Sequence, residues 1–519
     1  MRASKRVASF AVTLVCAWTA NVLSADTLEA WVARFNADDE ETVTNAVPNA
    51  AAAAFLGDNI PLFECSDAEI ERTYYFRWWT FRKHLKRTGN GWVVSEFLPD
   101  VYWSGKHNTI NCAAGHHFLE ARWLRDKSIV KDYLRFYFRA GRMSGRGAYV
   151  SWPAFAANEI YRTDGDLEFV RLSLDNLAFN FDDWTRGWTV WAYGGKATFD
   201  IGFDAGQGLF RVTDEFEGAE NSCSGDGYRV LVNAAMYGEA SAIAALAKAV
   251  GRDGLAAEFT AKANALAAAS DRLLWNRERE FFTTRAPDGR SSAVRELFGY
   301  APWYFRMPFA GDRSAAWGFV LSEKGFAAPF GLTGVERTAQ GFAIDYDVSG
   351  PACKRNGPTW PYETTIVLRA LAEALRNGSA GDVTEAEYVR LLHQYAAAHR
   401  LKRADGRVVS WIDEDLDPFT GTWLAREIFV RRGDPKKIGR GKDYNHSGFC
   451  DLVISGLCGV QPQADGTVEV NPLGRSLDWF RLSDVRCHGR SLTVQWDRTG
   501  SRYGQKGLKN ETSPLLKKE

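Results

Sequence analysis

Apolar residues along most of the chain recur at three- and four-residue steps, the spacing that gathers them on one face of a helix. This predicts helices over 66–87 (SDAEIERTYYFRWWTFRKHLKR), 109–124, 128–141 and 166–181. Further helices are predicted over 233–251, 254–275, 364–378, 385–400 and 449–459. Ser66 and Glu69 form an S-x-x-E capping box at the start of the first. Gly or Asn follows several of the others, as a helix C-terminus prefers. Ten or more successive helices paired by loops point to a helical ring or a solenoid. No fixed repeat of 20–50 residues is visible, which counts against the solenoid.

The pattern changes near the end. Segments 466–473 and 490–500 alternate apolar and polar positions, with Leu492, Val494 and Trp496 on one face. A mainly α domain is therefore expected over 26–460, with a small β-rich region over 461–505. The polar stretch 506–519 is expected to be disordered.

Composition narrows the class. The 519 residues are 45% hydrophobic and 25% charged, with 64 basic and 64 acidic side chains. No net charge argues against nucleic acid or an anionic membrane as the main partner. The 19 tryptophans are unusual, and exposed aromatic faces stack well on sugar rings. Residues 1–25 read as a signal peptide: Arg2, Lys5 and Arg6 precede an apolar run from Val7 to Leu23, then Ser24-Ala25. Export to the periplasm or the exterior is the expectation, with no membrane contact after cleavage. No other segment reads as long and apolar enough to span a bilayer. The seven cysteines after residue 25 are scattered and odd in number, so buried free thiols are expected rather than a disulfide framework.

Several chemistries lack their motifs. There is no G-x-S-x-G elbow, no G-x-x-x-x-G-K-[ST] loop and no H-E-x-x-H helix. His116 and His117 are adjacent, point about 100° apart on a helix, and make a poor two-ligand face. Two acidic stretches remain. WIDEDLDPFTGTW (411–423) holds Asp413, Glu414, Asp415 and Asp417 between Trp411 and Trp423. Its one-three-five acids imitate an EF-hand, but Pro418 stands where the loop needs glycine and Leu424 where it needs glutamate. The second stretch, from Asp214, carries Glu215, Glu217 and Glu220 ahead of a long helix. Two carboxyls meeting at helix mouths would suit glycoside hydrolysis, one protonated and one ionised. The spacing alone leaves a solvated charge run equally open.

The phrases TYYFRWWTFRKHLKRT, GKHNTINCAAGHH, GYRVLVNAAMYGEA, RELFGYAPWYF, NGPTWPYETT, WIDEDLDPFTGTW and GKDYNHSGFCDLVISGL occur in this order. Together, from about Phe63 to Thr499, they resemble the mannosylglycerate-hydrolase-like branch of the six-hairpin glycosidases, relatives of glycoside hydrolase family 63 and the trehalases. The resemblance implies an (α/α)6 toroid and an inverting mechanism. It places Glu220, in GAENS, at the general-acid position, where the clan carries Asp, and Glu414, before Asp417-Pro418, at the base. Asp413 and Asp415 should raise the pKa of any carboxyl near them. Trp78 and Arg82, on one helix face, are assigned to the sugar pocket with Lys106, His107, Asn108, Tyr228 and Arg229. Trp360, Trp411, Asp443 and His446 complete that set, with the alternatives of a hairpin plug for Trp360 and a helix cap for Asp443. No cofactor is required and no metal ligand set is specified; calcium, which some relatives bind, is not indicated. The expected partner is an oligosaccharide or polysaccharide, cleaved exo-fashion, of oligosaccharide or plant-type glycan origin. Two alternatives stand beside this reading: a polysaccharide lyase using Tyr74, His107 and arginines, and a glycan-binding relative without turnover.

Overall fold

A computed structural model describes residues 28–139, 149–191 and 198–514. The expected signal peptide lies outside the described residues.

Six inner helical segments close a ring. Asn111–Ala121 packs on Pro153–Asp164, which packs on Val230–Ala249; that helix meets Ala301–Tyr304, which meets Pro361–Asn377. The ring closes through the π-helical turn Leu452–Leu457 and Phe449–Asp451, which returns to Asn111–Ala121. Outer helices lie against this ring: Lys127–Arg139, Leu167–Arg186, Asp253–Leu273, Glu385–Ala397 and Ala68–Lys83. This is an (α/α)6 toroid, as expected from the sequence.

Local chemistry explains the helix ends. Asp67, not Ser66, caps the first long helix, its Oδ1 accepting from the amides of Glu69 and Ile70. The capping-box expectation is corrected by one residue, because Asp67 is the residue with extended backbone. Pro153 and Pro361 open two inner helices, where a missing N–H costs nothing. The inner helices approach closely at Gly115, where a Cβ would lie 2.2 Å from the Trp152 ring. By length and composition Val230–Ala249 could cross a membrane, contrary to the expectation that no further segment qualifies. It is instead an inner helix of the ring, alanine-rich and packed along Asp253–Leu273.

The C-terminal region forms a four-stranded antiparallel sheet whose first strand, Leu62–Cys65, comes from just before the first long helix. Phe63 faces Leu482, and Leu482 faces Val494, so one buried face runs across it onto the helices. The β-rich region is thus bound into the ring domain. The tail expected to be disordered is ordered over Gly507–Pro514, which pairs with Arg490–Asp497 along its length. Its polar composition suits an edge strand held by backbone hydrogen bonds with both faces wet. All seven described cysteines are free thiols.

Candidate active site

The loops at one mouth of the ring surround a cavity of about 290 Å³. Glu220 and Glu414 both line it, with Glu96, Arg355, Arg440 and His446.

The acid loop is built from behind. Glu217 is buried; its Oε2 accepts from Arg229 Nε at 2.6 Å and its Oε1 from the Val232 amide at 2.8 Å, capping the helix that begins at Val230. Arg229 also reaches Glu296 at 3.2 Å and the Gly225 carbonyl at 2.5 Å. Gly218 adopts φ 72°, and a Cβ there would press on Cys112 and Trp360 at 3.0 Å. The chain therefore turns tightly against the cavity floor and presents Glu220 to it. Burial pushes the Glu220 carboxyl up to about 7, against a lowering pull from Arg355. It is a group able to carry a proton near neutrality.

The acidic run resolves into one cavity residue and three supports. Asp413 Oδ1 accepts from the Glu414 amide at 2.8 Å. Asp415 is fully buried, pairs with Arg355 and accepts from the Lys354 amide at 3.1 Å. Asp417 accepts from the amides of Phe419 and Thr420, and from the Tyr346 hydroxyl at 2.7 Å, closing the turn behind Pro418. Only Glu414 of the four lines the cavity. Burial pushes its carboxyl up, but Arg440 at 2.8 Å and Arg355 at 3.6 Å outweigh burial and hold it below the usual 4.5. The expectation that Asp413 and Asp415 would raise it is corrected: both are themselves pushed up, mainly by burial, to about 6 and about 7.

Arg355 connects the two halves. Its amide donates to the Glu220 carbonyl at 3.2 Å, its Nε to the Gly218 carbonyl at 3.2 Å, and its guanidinium lies 3.7 Å above the Trp360 ring. The same guanidinium pairs with Asp415 and faces Glu414.

Of the other residues assigned from sequence, Trp360 and His446 line the cavity. Trp360 lies under Arg355 and stacks on Tyr362 at 4.4 Å, so most of its surface is already covered. The remaining assignments are corrected. Trp78 is fully buried among Tyr74 and Phe81. Arg82 turns away from the cavity to the Val47 carbonyl and Asn49. Lys106 is exposed on a turn, and His107 meets Phe136 edge-on at 5.8 Å. Asn108 is buried and ties its own loop, donating to the carbonyls of Phe97 and Pro99. Tyr228 donates to Asp204 at 2.5 Å, outside the cavity, and Arg229 works from behind the acid loop. Trp411 and Asp443 line a separate small cleft beside Asp39, where Asp443 pairs with Lys83 at 2.5 Å in a turn, not at a helix start. A single helix face or a neighbouring position in sequence did not fix direction in these cases: core packing claimed Trp78, polar partners claimed Arg82, Asn108, Tyr228, Arg229 and Asp443, and Lys106 points to solvent.

Much of the cavity lining escaped sequence reasoning, including Glu96, Arg355, Arg440, Tyr444 and the rim residue Tyr102. Arg355 and Arg440 each stand immediately before one of the quoted phrases and Tyr444 lies inside one, whereas Glu96 falls in none of them. Among the described residues no group of three or more His, Cys, Asp or Glu could hold a metal ion.

A family model described as the mannosylglycerate hydrolase MGH1-like glycoside hydrolase domain matches residues 106–447. The chain belongs to that family. A structure described as a sialidase is 34% identical, with a TM-score of 0.82, over 94% of this chain and 43% of that one. The chain thus spans less than half the length of that relative. The mannosylglycerate hydrolase of family 63 from Thermus thermophilus, solved with glucose, shares the fold at 16% identity and a TM-score of 0.50, over 74% of this chain and 99% of that one. An α-L-rhamnosidase from Streptomyces avermitilis, solved with L-rhamnose, does so at 12% and 0.54, over 88% and 38%. The MGH1-like domain contains Glu220, Arg355 and Glu414, whereas Glu96 lies just upstream of the matched span.

Proposed function

We propose that the chain is an exported, inverting glycoside hydrolase that removes the terminal unit of an oligosaccharide or plant-type glycan, with Glu220 as general acid and Glu414 as general base. One observation carries this reading: two carboxyls share one cavity, and their surroundings drive them to opposite protonation states. Glu220 gives its proton to the glycosidic oxygen as the bond to the anomeric carbon breaks. Glu414 takes a proton from a water that adds to that carbon from the opposite face, so the product has the inverted configuration. Arg355 and Arg440 keep Glu414 ionised until it has done so. After product release Glu220 regains a proton from solvent and Glu414 loses one. A cavity of this size, walled on several sides, fits a glycan terminus. Export rests on the N-terminal pattern of charged and apolar residues.

The lyase alternative loses its named base candidates. Tyr74 is buried, its hydroxyl donating to the Pro61 carbonyl, and His107 lies against Phe136.

Wild type, Glu220→Gln and Glu414→Gln are to be compared on 4-nitrophenyl glycosides and plant oligosaccharides, following the first-formed anomer by proton NMR. Wild type is expected to release the inverted sugar, and both variants to lose at least about 100-fold in kcat/KM. Retained configuration, a variant near wild-type activity, or ultraviolet absorbance from a new double bond on uronate polymers would each reject the assignment.

A further inference from the structure

One end of the cavity has hydrogen-bonding capacity that the protein does not use. Glu96, His446 and Trp360 all line it. Each is buried; Glu96 Oε2 and His446 Nδ1 have no hydrogen-bond partner, whereas the Trp360 indole interacts with the Tyr444 side chain. The three are neighbours. His446 Nε2 lies 2.9 Å from Glu96 Oε1, and the His446 and Trp360 rings are 4.9 Å apart. Buried polar atoms are nearly always satisfied, so two unsatisfied atoms on adjacent cavity-lining side chains point to a ligand that supplies donors and acceptors together. A sugar ring does so through its hydroxyls.

Glu96 is not required as scaffold. The backbone already holds its segment, since the Ser95 amide donates to the His84 carbonyl at 3.0 Å and the Asn445 amide to the Glu96 carbonyl at 3.1 Å. The two cavity arginines act on Glu96 only at longer range, pulling its carboxyl down against burial. Arg440 and Arg355 are committed to Glu414 and Asp415, and Glu96 meets only the Tyr444 hydroxyl at 3.3 Å and His446. Burial first, and the Glu414 charge second, push its carboxyl up to about 8, while burial pushes His446 well below its usual value. Both groups are therefore neutral at pH 7, and a neutral carboxyl offers one donor and one acceptor.

We propose that Glu96 is a specificity-determining residue, its carboxyl taking one hydroxyl of the sugar ring held between Glu220 and Glu414, with His446 and Trp360 on the same wall. The proposal rests on the glycosidase reading for the placement of that ring. A site built to bind a hydroxyl rejects the analogue lacking it, because its own polar groups are left unpaired.

The test takes the 4-nitrophenyl glycoside that wild type cleaves best and its monodeoxy analogues, with Glu96→Gln and Glu96→Ala, each first shown to melt as wild type does. Wild type is expected to lose on the order of 10- to 100-fold in kcat/KM on one deoxy analogue. Glu96→Ala should show no such penalty on that analogue while losing a similar factor on the parent sugar; Glu96→Gln, which keeps a donor and an acceptor, should retain most of the discrimination. Equal discrimination by wild type and Glu96→Ala at every position overturns the proposal. Binding of the corresponding free monosaccharide and its deoxy forms is measured by calorimetry in parallel. Deoxy-selective binding that Glu96→Ala abolishes supports the subsite even if nothing is cleaved, which would sink the hydrolase reading alone. Absence of both cleavage and binding overturns both.

Discussion

The backbone amide of Arg355 donates to the carbonyl of Glu220 at 3.2 Å, while the guanidinium of the same residue stands 3.6 Å from Glu414. One residue thus touches both halves of the proposed catalytic pair, and binds the buried Asp415 besides. Arg355→Ala leaves Asp415 buried without its cation, and a loss of about 3–5 kcal/mol is expected in denaturant unfolding. Arg355→Lys keeps a charge but not the fork. In Arg355→Ala, with that positive charge gone, Glu414 becomes harder to ionise, so the acidic limb of kcat/KM should move to higher pH.

The pH profile of wild type follows from the same charges. Activity should rise with pH as Glu414 ionises below 4.5 and fall above about 7 as Glu220 loses its proton. Glu220→Gln should lack the basic limb. On a 2,4-dinitrophenyl glycoside, whose leaving group needs no proton, it should lose far less than on an oligosaccharide.

Glu220 also makes stability pH-dependent. Its folded value of about 7 lies above the usual 4.5, so the unfolded chain ionises first as pH rises. Its contribution is fully present below about 4.5, is lost between there and 7, and is level beyond. Glu220→Gln should therefore raise Tm relative to wild type at pH 8 and change it little at pH 4, by scanning calorimetry.

Glu217 and Arg229 are buried partners behind the acid loop. Glu217→Ala removes a helix cap and the nearest carboxylate of buried Arg229, leaving it Glu296 at 3.2 Å, for an expected loss of about 3–5 kcal/mol. Loss of activity should track the unfolded fraction, measured by circular dichroism, and recover with folding at lower temperature.

Trp78 and Tyr102 should behave oppositely. Trp78→Ala empties a core site and is expected to cost about 3–5 kcal/mol without altering KM of the folded enzyme. Tyr102 lines the cavity and is 88% exposed at its rim, beside Trp103. Tyr102→Ala should change stability by less than about 0.5 kcal/mol. Its KM should rise about two- to tenfold on oligosaccharides long enough to reach the rim, and little on aryl glycosides.

The helical ring was legible in the chain because periodic apolar faces must pack on one another, and nine predicted segments coincide with helices of the structure. Several helices were missed, among them Ala52–Asn59, the short ring helix Ala301–Tyr304 and two longer ones. Pro153–Asp164 is buried nearly all round, so no polar face marks it, and Leu424–Arg432 is short and rich in arginine. The acid loop and the DPFTG turn were legible too, since Gly218, Gly421 and Asp417 carry their own turn chemistry in sequence. Residue types left these acids undecided; the family resemblance of the quoted phrases pointed to Glu220 and Glu414, and the fold brings both to one cavity.

What the chain could not fix by itself was direction and charge balance. Trp78 and Arg82 share a helix face that could meet either core or cavity, and packing sent both away from the cavity. Asp413, Asp415 and Glu414 are adjacent acids of similar type, yet only the fold brings Arg355 and Arg440 to Glu414 from 59 residues before it and 26 after. Glu96 enters the cavity from outside the matched domain through backbone pairing with Asn445, a contact of high sequence separation. Periodicity and turn chemistry are local and can be read along a chain. The electrostatic state of a buried carboxyl depends on every charge within a few ångströms, and those neighbours are chosen by the closed ring.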